Sequence, residues 1–541
     1  MDNETNRSDR VEIYDTTLRD GTQGEGVALS LVDKLKITQL LDAVGVDYIE
    51  GGYPLSNPKD VAFFEEVKKM NFQHARICAF GMTRRKGTKP QKDEGMQALV
   101  SSGSPVITIV GKTWDLHVDE VLHVSRKENL DMIHQSVSFC HNAASTEMVF
   151  YDAEHFFDGY RANPDYAVQA LQAALDGGAA RLVLCDTNGG SLPGWITQVV
   201  RELIEKLGSH VKLGIHTHND SGLAVANSLA AIEAGCVQVQ GTINGIGERC
   251  GNVDLTTVIA NLKLKLGRQC LQDNSLSRLT EVSRYVYELA NMSLVPPQPF
   301  VGSAAFAHKG GMHVHAVQKL ARSYEHIPPE SVGNERRILV SELSGASNIA
   351  VTLGKKFDIE NNRKLQRNVL NRLQDLEHQG YQYEAAVASF ELLVYEVMGR
   401  RPSFWELDHY RCVILKRNGD PCATEAIVKL RLGQTIKHFV AEGDGPVNAL
   451  DGALRKCLCG HYPQINDVHL TDYKVRVVNP TAESAAKVRV VSEFAVKSAD
   501  GNGVAKRFST IGVNENIVDA SWQAISDAFQ YHLIETMNNE L

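Results

Sequence analysis

Short apolar runs rich in β-branched residues recur along the first half of the chain. They are Val11–Tyr14 (VEIY), Val46–Glu50 (VDYIE), Arg76–Phe80 (RICAF), Val106–Val110 (VITIV), Glu147–Asp152 (EMVFYD), Arg181–Asp186 (RLVLCD), Lys212–His216 (KLGIH) and Val237–Gly241 (VQVQG). Amphipathic stretches lie between them. In LVDKLKITQLLDAVG, Leu31, Leu35 and Leu41 recur near helical spacing and Gly45 supplies a stop. Buried strands alternating with helices predict a parallel sheet, and eight such units predict a closed (β/α)8 TIM barrel over residues 8–272, an α/β fold. The rival is an open doubly wound sheet, which places a Gly-rich loop after its first strand; none is present.

The pattern changes after Gly267. A helical stretch, LSRLTEVSRYVYELANM, leads into the proline cluster LVPPQPF, and the Gly/His-rich passage GSAAFAHKGGMHVHAV predicts tight turns. From about Ser341 the chain reads helical again. Leu365, Val369, Leu373 and Leu376 share one face before Gly380, and a second apolar helix runs through Phe390 and Val394. These features predict a helical linker over 273–401. Beyond Pro402, AIVKLRLGQTIKHFVAEGDGPVNALDGALRKCL and FAVKSADGNGVAKRFSTIGVNENIVDASWQAISDAF resemble each other. Each reads as two strands followed by a helix, which predicts a paired α+β module over 402–541 suited to small-molecule sensing or dimer formation.

Composition narrows the class. A chain of 541 residues exceeds a single core. Its net charge of -9, with no basic block, gives no footing for nucleic acid or an anionic membrane. The polar start, MDNETNRSDR, predicts no secretory leader, and no apolar run reaches membrane-spanning length. Ten cysteines without a CxxC pair predict reduced thiols and a cytoplasmic enzyme.

In a barrel, chemistry gathers where strands meet the following loops. Those junctions carry Arg19 and Asp20 (DTTLRDG), Glu50, Asp152 and Glu154 (FYDAEH), Asp186, Thr187 and Asn188 (CDTNGG), His216 to Asp220 (HTHND), and Glu248 and Asn252 (GERCGN). The opposite rim is expected to hold no comparable set. On a strand, residues i and i+2 share a side, so His216 and His218 can present two imidazoles to one ion. With Asp20 and an Asn252 amide oxygen they suit a divalent cation such as Mn²⁺, Mg²⁺, Zn²⁺ or Co²⁺, with positions open for substrate. A metal beside Arg19 suits carbonyl chemistry on a 2-oxo acid. The plainer alternative makes Arg19 and Asp20 a surface ion pair of little consequence. Glu154 stands open as a general base, an organiser of water, or a partner of Arg19.

DTTLRDG, HTHND and GERCGN resemble the metal-dependent Claisen-condensing synthases, the family of 2-isopropylmalate, homocitrate and citramalate synthases. The resemblance spans barrel, connector and tail. YIEGGYPLSNPKD, GKTWDLHV and YDAEHFFDGYRAN are most similar to its citramalate-forming branch. That implies acetyl-CoA and pyruvate as substrates, a homodimer, and a tail that binds a feedback inhibitor, isoleucine. It further implies Asp20, His216, His218 and Asn252 as metal ligands, Arg19 at the keto oxygen, Thr187 at the substrate carboxylate and Glu154 near the acetyl group. His313 and Tyr324 match a histidine and tyrosine that reach into the partner's barrel, whereas His315 stands where the family usually has aspartate. Read on their own, His308, His313 and His315 are equally a polar turn. The rivals are a branched 2-oxo acid as acceptor, a lyase on the same barrel, and a catalytically dead amino-acid sensor.

Overall fold

The computed structural model of the chain describes residues 10–272, 274–339, 356–357, 362–419, 421–478, 486–497 and 504–539. All eight expected strands form: β1 (Glu12–Asp15), β2 (Tyr48–Gly52), β3 (Arg76–Met82), β4 (Val106–Lys112), β5 (Met148–Glu154), β6 (Arg181–Asp186), β7 (Leu213–Thr217) and β8 (Gln238–Gly241). They close in sequence order into a parallel barrel, with β1 pairing both β2 and β8. Its helices include α1 (Leu31–Val44), α2 (Pro58–Val67), α3 (Glu94–Ser101), α4 (Arg126–His141), α5 (Pro164–Asp176), α6 (Pro193–Leu207), α7 (Ala224–Ala234) and α8 (Leu255–Leu264).

Local chemistry sets the helix ends. Ser30 and Asp33 form a reciprocal capping box at the start of α1, and Gly45, at φ 88°, stops it in the left-handed region. Asn57 caps α2, with Pro58 in its first turn.

Alternate strand residues face outward to the helices, as Ile13, Ile49, Ile107 and Val149 do in the main core. The others face inward, where Tyr14, Tyr48, Cys78, Val106 and Phe150 pack as a buried plug. The rim where the strands begin carries charged residues too, closed into pairs. Arg181 takes both oxygens of Glu12, at 2.6 and 2.9 Å, and Arg10 pairs with Asp47. Such residues start the strands, so they were hidden among the apolar runs.

Past the eighth strand and its helix, the chain goes on packing against the barrel core. The helix Leu279–Leu289 (α9) buries Leu279, Val282 and Val286 with the barrel core, and that compact unit runs on to Phe306 and takes in Ile327–Arg336. The other unit comprises Ala307–His326 and Arg337–Leu541. The Gly/His-rich passage turns through 302–306, as expected, but its second half does not: Gly311–Lys319 forms a helix (α10) that buries Val314 and Val317. Much of the helical start expected from Ser341 lies outside the described residues. The two later helices are present as α11 (Arg363–His378) and α12 (Val387–Val397), with Val369, Leu373, Phe390 and Val394 in a common core.

The tail repeat is longer than its sequence echo. Each copy has three antiparallel strands before its helix: β9 (Glu406–Leu415), β10 (Ala423–Leu432), β11 (Thr435–Gly443) and α13 (Pro446–Leu458), then β12 (Val468–Val477), β13 (Val488–Lys497), β14 (Val504–Asn514) and α14 (Ile517–Asn539). The unforeseen β9, ELDHYRCVIL, is exposed along nearly its whole length and so carries little of the in–out alternation that marks a strand.

Candidate metal centre and active site

The inward-facing alternation gathers the site. Phe80, Met82, Val110, Lys112, Asp152, Glu154, Cys185, Thr187, His216 and His218 lie two apart on their strands or at the strand ends. With Arg19 and Asp20 they line a cavity of about 320 Å³.

Asp20, His216 and His218 converge. His216 Nε2 lies 3.5 Å from Asp20 Oδ2 and 3.3 Å from His218 Nε2, and one donor atom from each residue lies within 4.8 Å of the others. All three are buried, so burial lowers the pKa of His216 and, to about 4, that of His218, and both rings are neutral near pH 7. Burial alone would raise the pKa of Asp20, but the Arg19 charge beside it holds it below its ordinary value.

A relay behind the pair fixes the orientation of His216. Gln240 donates through Nε2 to Asp152 Oδ1 at 3.1 Å, which turns Gln240 Oε1 toward His216 Nδ1, also at 3.1 Å. That oxygen only accepts, so His216 Nδ1 carries the proton and its Nε2 lone pair points at Asp20 and His218.

Asn252 stands beside them on a loop that only glycine can turn. Gly251 has φ 90°, and a Cβ there would lie 2.0 Å from the Gly245 carbonyl oxygen. Asn252 Nδ2 donates to the Ile246 carbonyl, whereas Asn252 Oδ1 and His218 Nδ1 are buried with no partner among the described residues. Two neutral imidazoles and a carboxylate form a donor set that fits a divalent cation, and the Asn252 amide, hydrogen-bonded to Asp20, stands beside it.

Arg19 and Asp20 are no surface pair. The Arg19 side chain is 14% exposed and that of Asp20 6%, with Nη1 to Oδ2 at 3.3 Å. Burial works against the Arg19 charge, but Glu50 and Asp20 more than offset it and raise its pKa. Its Nε binds Glu50 Oε1, and its guanidinium lies 3.8 Å from the Phe80 ring centre. Glu154 is therefore not the partner of Arg19; it pairs with Lys112, its register neighbour across β4 and β5. Thr187 Oγ1 accepts the His155 backbone N–H at 2.9 Å. Asp152 is pushed up to about 8 by burial and then by Glu50, which favours its neutral form. His313 and Tyr324 belong to the other unit, where their rings stack at 4.3 Å; His313 and His315 are exposed on α10.

Lys112 and Gln240 were not singled out by sequence, and Asp152 was placed on the rim without a role. The available signal was parity: counting back two from Glu154 reaches Asp152, and the strand before it ends in Lys112.

Three family signatures cover most of the chain: HMGL-like over 10–286, homocitrate synthase post-HMGL domain-like over 300–381, and the LeuA allosteric (dimerisation) domain over 384–533. The chain is thus an acyl-transferring condensation enzyme built on an HMGL-like barrel. An (R)-citramalate synthase of Geobacter sulfurreducens is 49% identical over 526 residues, covering 97% of each chain. One from Aquifex aeolicus is 48% identical, covering 98% of each. A 2-isopropylmalate synthase of Methanocaldococcus jannaschii is 31% identical, covering 96% of this chain and 94% of its own. Within the condensing class, this chain belongs to the (R)-citramalate synthase family. No helix among the described residues is long and apolar enough to cross a membrane.

Proposed function

We propose that this chain joins acetyl-CoA to pyruvate, with water, to give (R)-citramalate and coenzyme A. The observation that carries the reading is the convergence of Asp20, His216 and His218 beside the buried Arg19, in a chain of this family. Asp20, His216 and His218 would hold one divalent cation, with Asn252 as the further candidate ligand. When bound, such an ion supplies Lewis-acid polarisation of a 2-oxo acid.

The chain's own groups do the rest. Arg19, always charged, receives the keto oxygen as negative charge grows on it. The Thr187 hydroxyl, oriented by the His155 N–H, holds the substrate carboxylate. Glu154, kept in place by Lys112, faces the acetyl group. His313, with Tyr324 stacked on it, takes a proton from the acetyl methyl. The carbon so freed bonds to the keto carbon of pyruvate, and water then cleaves the thioester and releases coenzyme A.

The division of labour follows the chain: a catalytic barrel over 8–272, a linker over 273–401 carrying His313 and Tyr324, and a regulatory module over 402–541. The working form is a cytoplasmic homodimer in which His313 and Tyr324 serve the partner's barrel. Isoleucine binds the paired tail repeats and lowers activity. The dimerisation signature over 384–533 and the internal repeat support both readings.

A thiol-release assay tests this. Acetyl-CoA with pyruvate is expected to release coenzyme A far faster than with 2-oxoisovalerate; the reverse order would mark the chain as an isopropylmalate-type synthase. His313→Ala is expected to lower turnover by roughly 10²-fold or more while metal binding persists.

A further inference from the structure

The loop after β3 carries a local run of basic residues at the catalytic rim, which overall composition does not single out. From Arg84 to Asp93 (RRKGTKPQKD) it sets Arg84, Arg85, Lys86, Lys89 and Lys92 against one acid, Asp93, in a protein of net charge -9. It leaves the catalytic rim beside Met82, the last residue of β3, which lines the cavity and is half exposed.

The loop is held as a platform. The buried Arg84 donates its backbone N–H to Ser136 Oγ at 2.8 Å, and its guanidinium to Gln135 Oε1 at 2.9 Å and Glu128 Oε1 at 3.0 Å. Asp93 is spent on backbone groups, accepting the N–H of Arg85 at 2.9 Å and of Met96 at 3.1 Å. Glu128 and Asp93 therefore hold the loop's frame. Arg85, Lys86, Lys89 and Lys92 all face solvent. Arg85 approaches Glu94 only at 3.9 Å, with both side chains more than 70% exposed, and Lys86 Nζ reaches a backbone carbonyl, that of Leu122, at 3.5 Å. Among the described residues, Lys89 and Lys92 form no ion pair. Lys86, Lys89 and Lys92 lie close together with no carboxylate partner among the described residues and repel one another, a cost that a bound polyanion removes.

We propose that Arg85, Lys86, Lys89 and Lys92 form the docking surface for the nucleotide end of the acyl-CoA, its 3′-phosphate and diphosphate. This rests on the acyl-CoA reading above. The chemistry matches: arginine grips phosphate through paired N–H groups and lysine acts as a mobile point charge. The flexible pantetheine arm then runs over Met82, carrying the thioester into the cavity. The patch also attracts a polyanionic substrate that the net charge of the chain would otherwise repel.

The test compares acetyl-CoA with S-acetylpantetheine, which has the same thioester but no nucleotide, in the wild type and in a Lys86→Gln/Lys89→Gln/Lys92→Gln triple variant of the full chain. The expected result is a rise of roughly tenfold in the KM for acetyl-CoA in the triple variant. The advantage of acetyl-CoA over acetylpantetheine in kcat/KM should shrink by the same factor. Adenosine 3′,5′-bisphosphate, titrated calorimetrically, should bind the wild type more tightly than the triple variant, with affinity falling as salt rises. Equal bisphosphate affinity in both proteins, or an unchanged KM for acetyl-CoA, would overturn the docking surface and leave the condensation reading intact. A wild type that releases no coenzyme A with any 2-oxo acid would instead defeat that reading, and the bisphosphate titration would still decide whether the loop binds a nucleotide.

Discussion

The two ends of the barrel are made by the same eight strands and use their charged groups in opposite ways. Where the strands begin, the carboxylates are spent on the fold. Glu12 is gripped by Arg181, and Asp47 takes Arg10 and the Ile13 N–H. Asp42 accepts the N–H groups of Gln73, His74 and Ala75. Where the strands end, His218 Nδ1 and Asn252 Oδ1 are buried with no partner, and two imidazoles face one carboxylate. A closed network stabilises the fold; buried open valences hold a place for something else.

The largest effect expected at the open end is that of His216→Ala. Loss of a donor from the triad should cut kcat/KM for coenzyme A release by about three orders of magnitude while leaving the melting transition of the metal-free protein close to wild type. Near-normal turnover would show that these valences are not stored for catalysis.

Gln240→Leu sharpens the same point one shell further out. It removes the acceptor that keeps the His216 proton on Nδ1, so affinity for Mn²⁺ should fall about 10- to 100-fold, read by competition with a chelating dye. Undiminished affinity would mean that the relay from Asp152 is ornamental.

The smallest effect belongs to the closed end. Its three N–H donors hold the Asp42 carboxylate below the usual range despite its burial. A carboxylate with a depressed folded-state pKa stabilises the fold above its unfolded value, near 4, and loses that contribution as pH falls through the folded one. Asp42→Asn should therefore cost about 1 kcal/mol at pH 7 in urea denaturation, with no change in kcat, and the gap from wild type should close as pH falls below 4. A gap that widened in acid would reverse the assigned sign.

Two His-x-His pairs show what the sequence could and could not reveal. HTH at 216–218 lies on a strand end, where a period of two points both rings inward, so its convergence was readable from spacing alone. HVH at 313–315 has the same spacing but lies on α10, with the buried Val314 between two exposed rings. No spacing rule separates the pairs until the secondary structure is known, and the glycines around 310 had suggested turns instead.

The barrel was legible because eight apolar runs at similar intervals leave few alternatives. Lys112 and Gln240 were not, and Asp152 was only one rim acid among several, because a polar residue in a strand gains its role from its neighbours across the sheet. The exposed β9 escaped for the opposite reason: neither of its faces is buried enough to leave a pattern.

The most direct measurement counts ions. Chelator-stripped protein titrated with Mn²⁺ should take up one ion per chain, and coenzyme A release from acetyl-CoA and pyruvate should return in proportion to occupancy. Full turnover by the stripped protein, or equal uptake by an Asp20→Ala/His216→Ala/His218→Ala variant, would contradict the account.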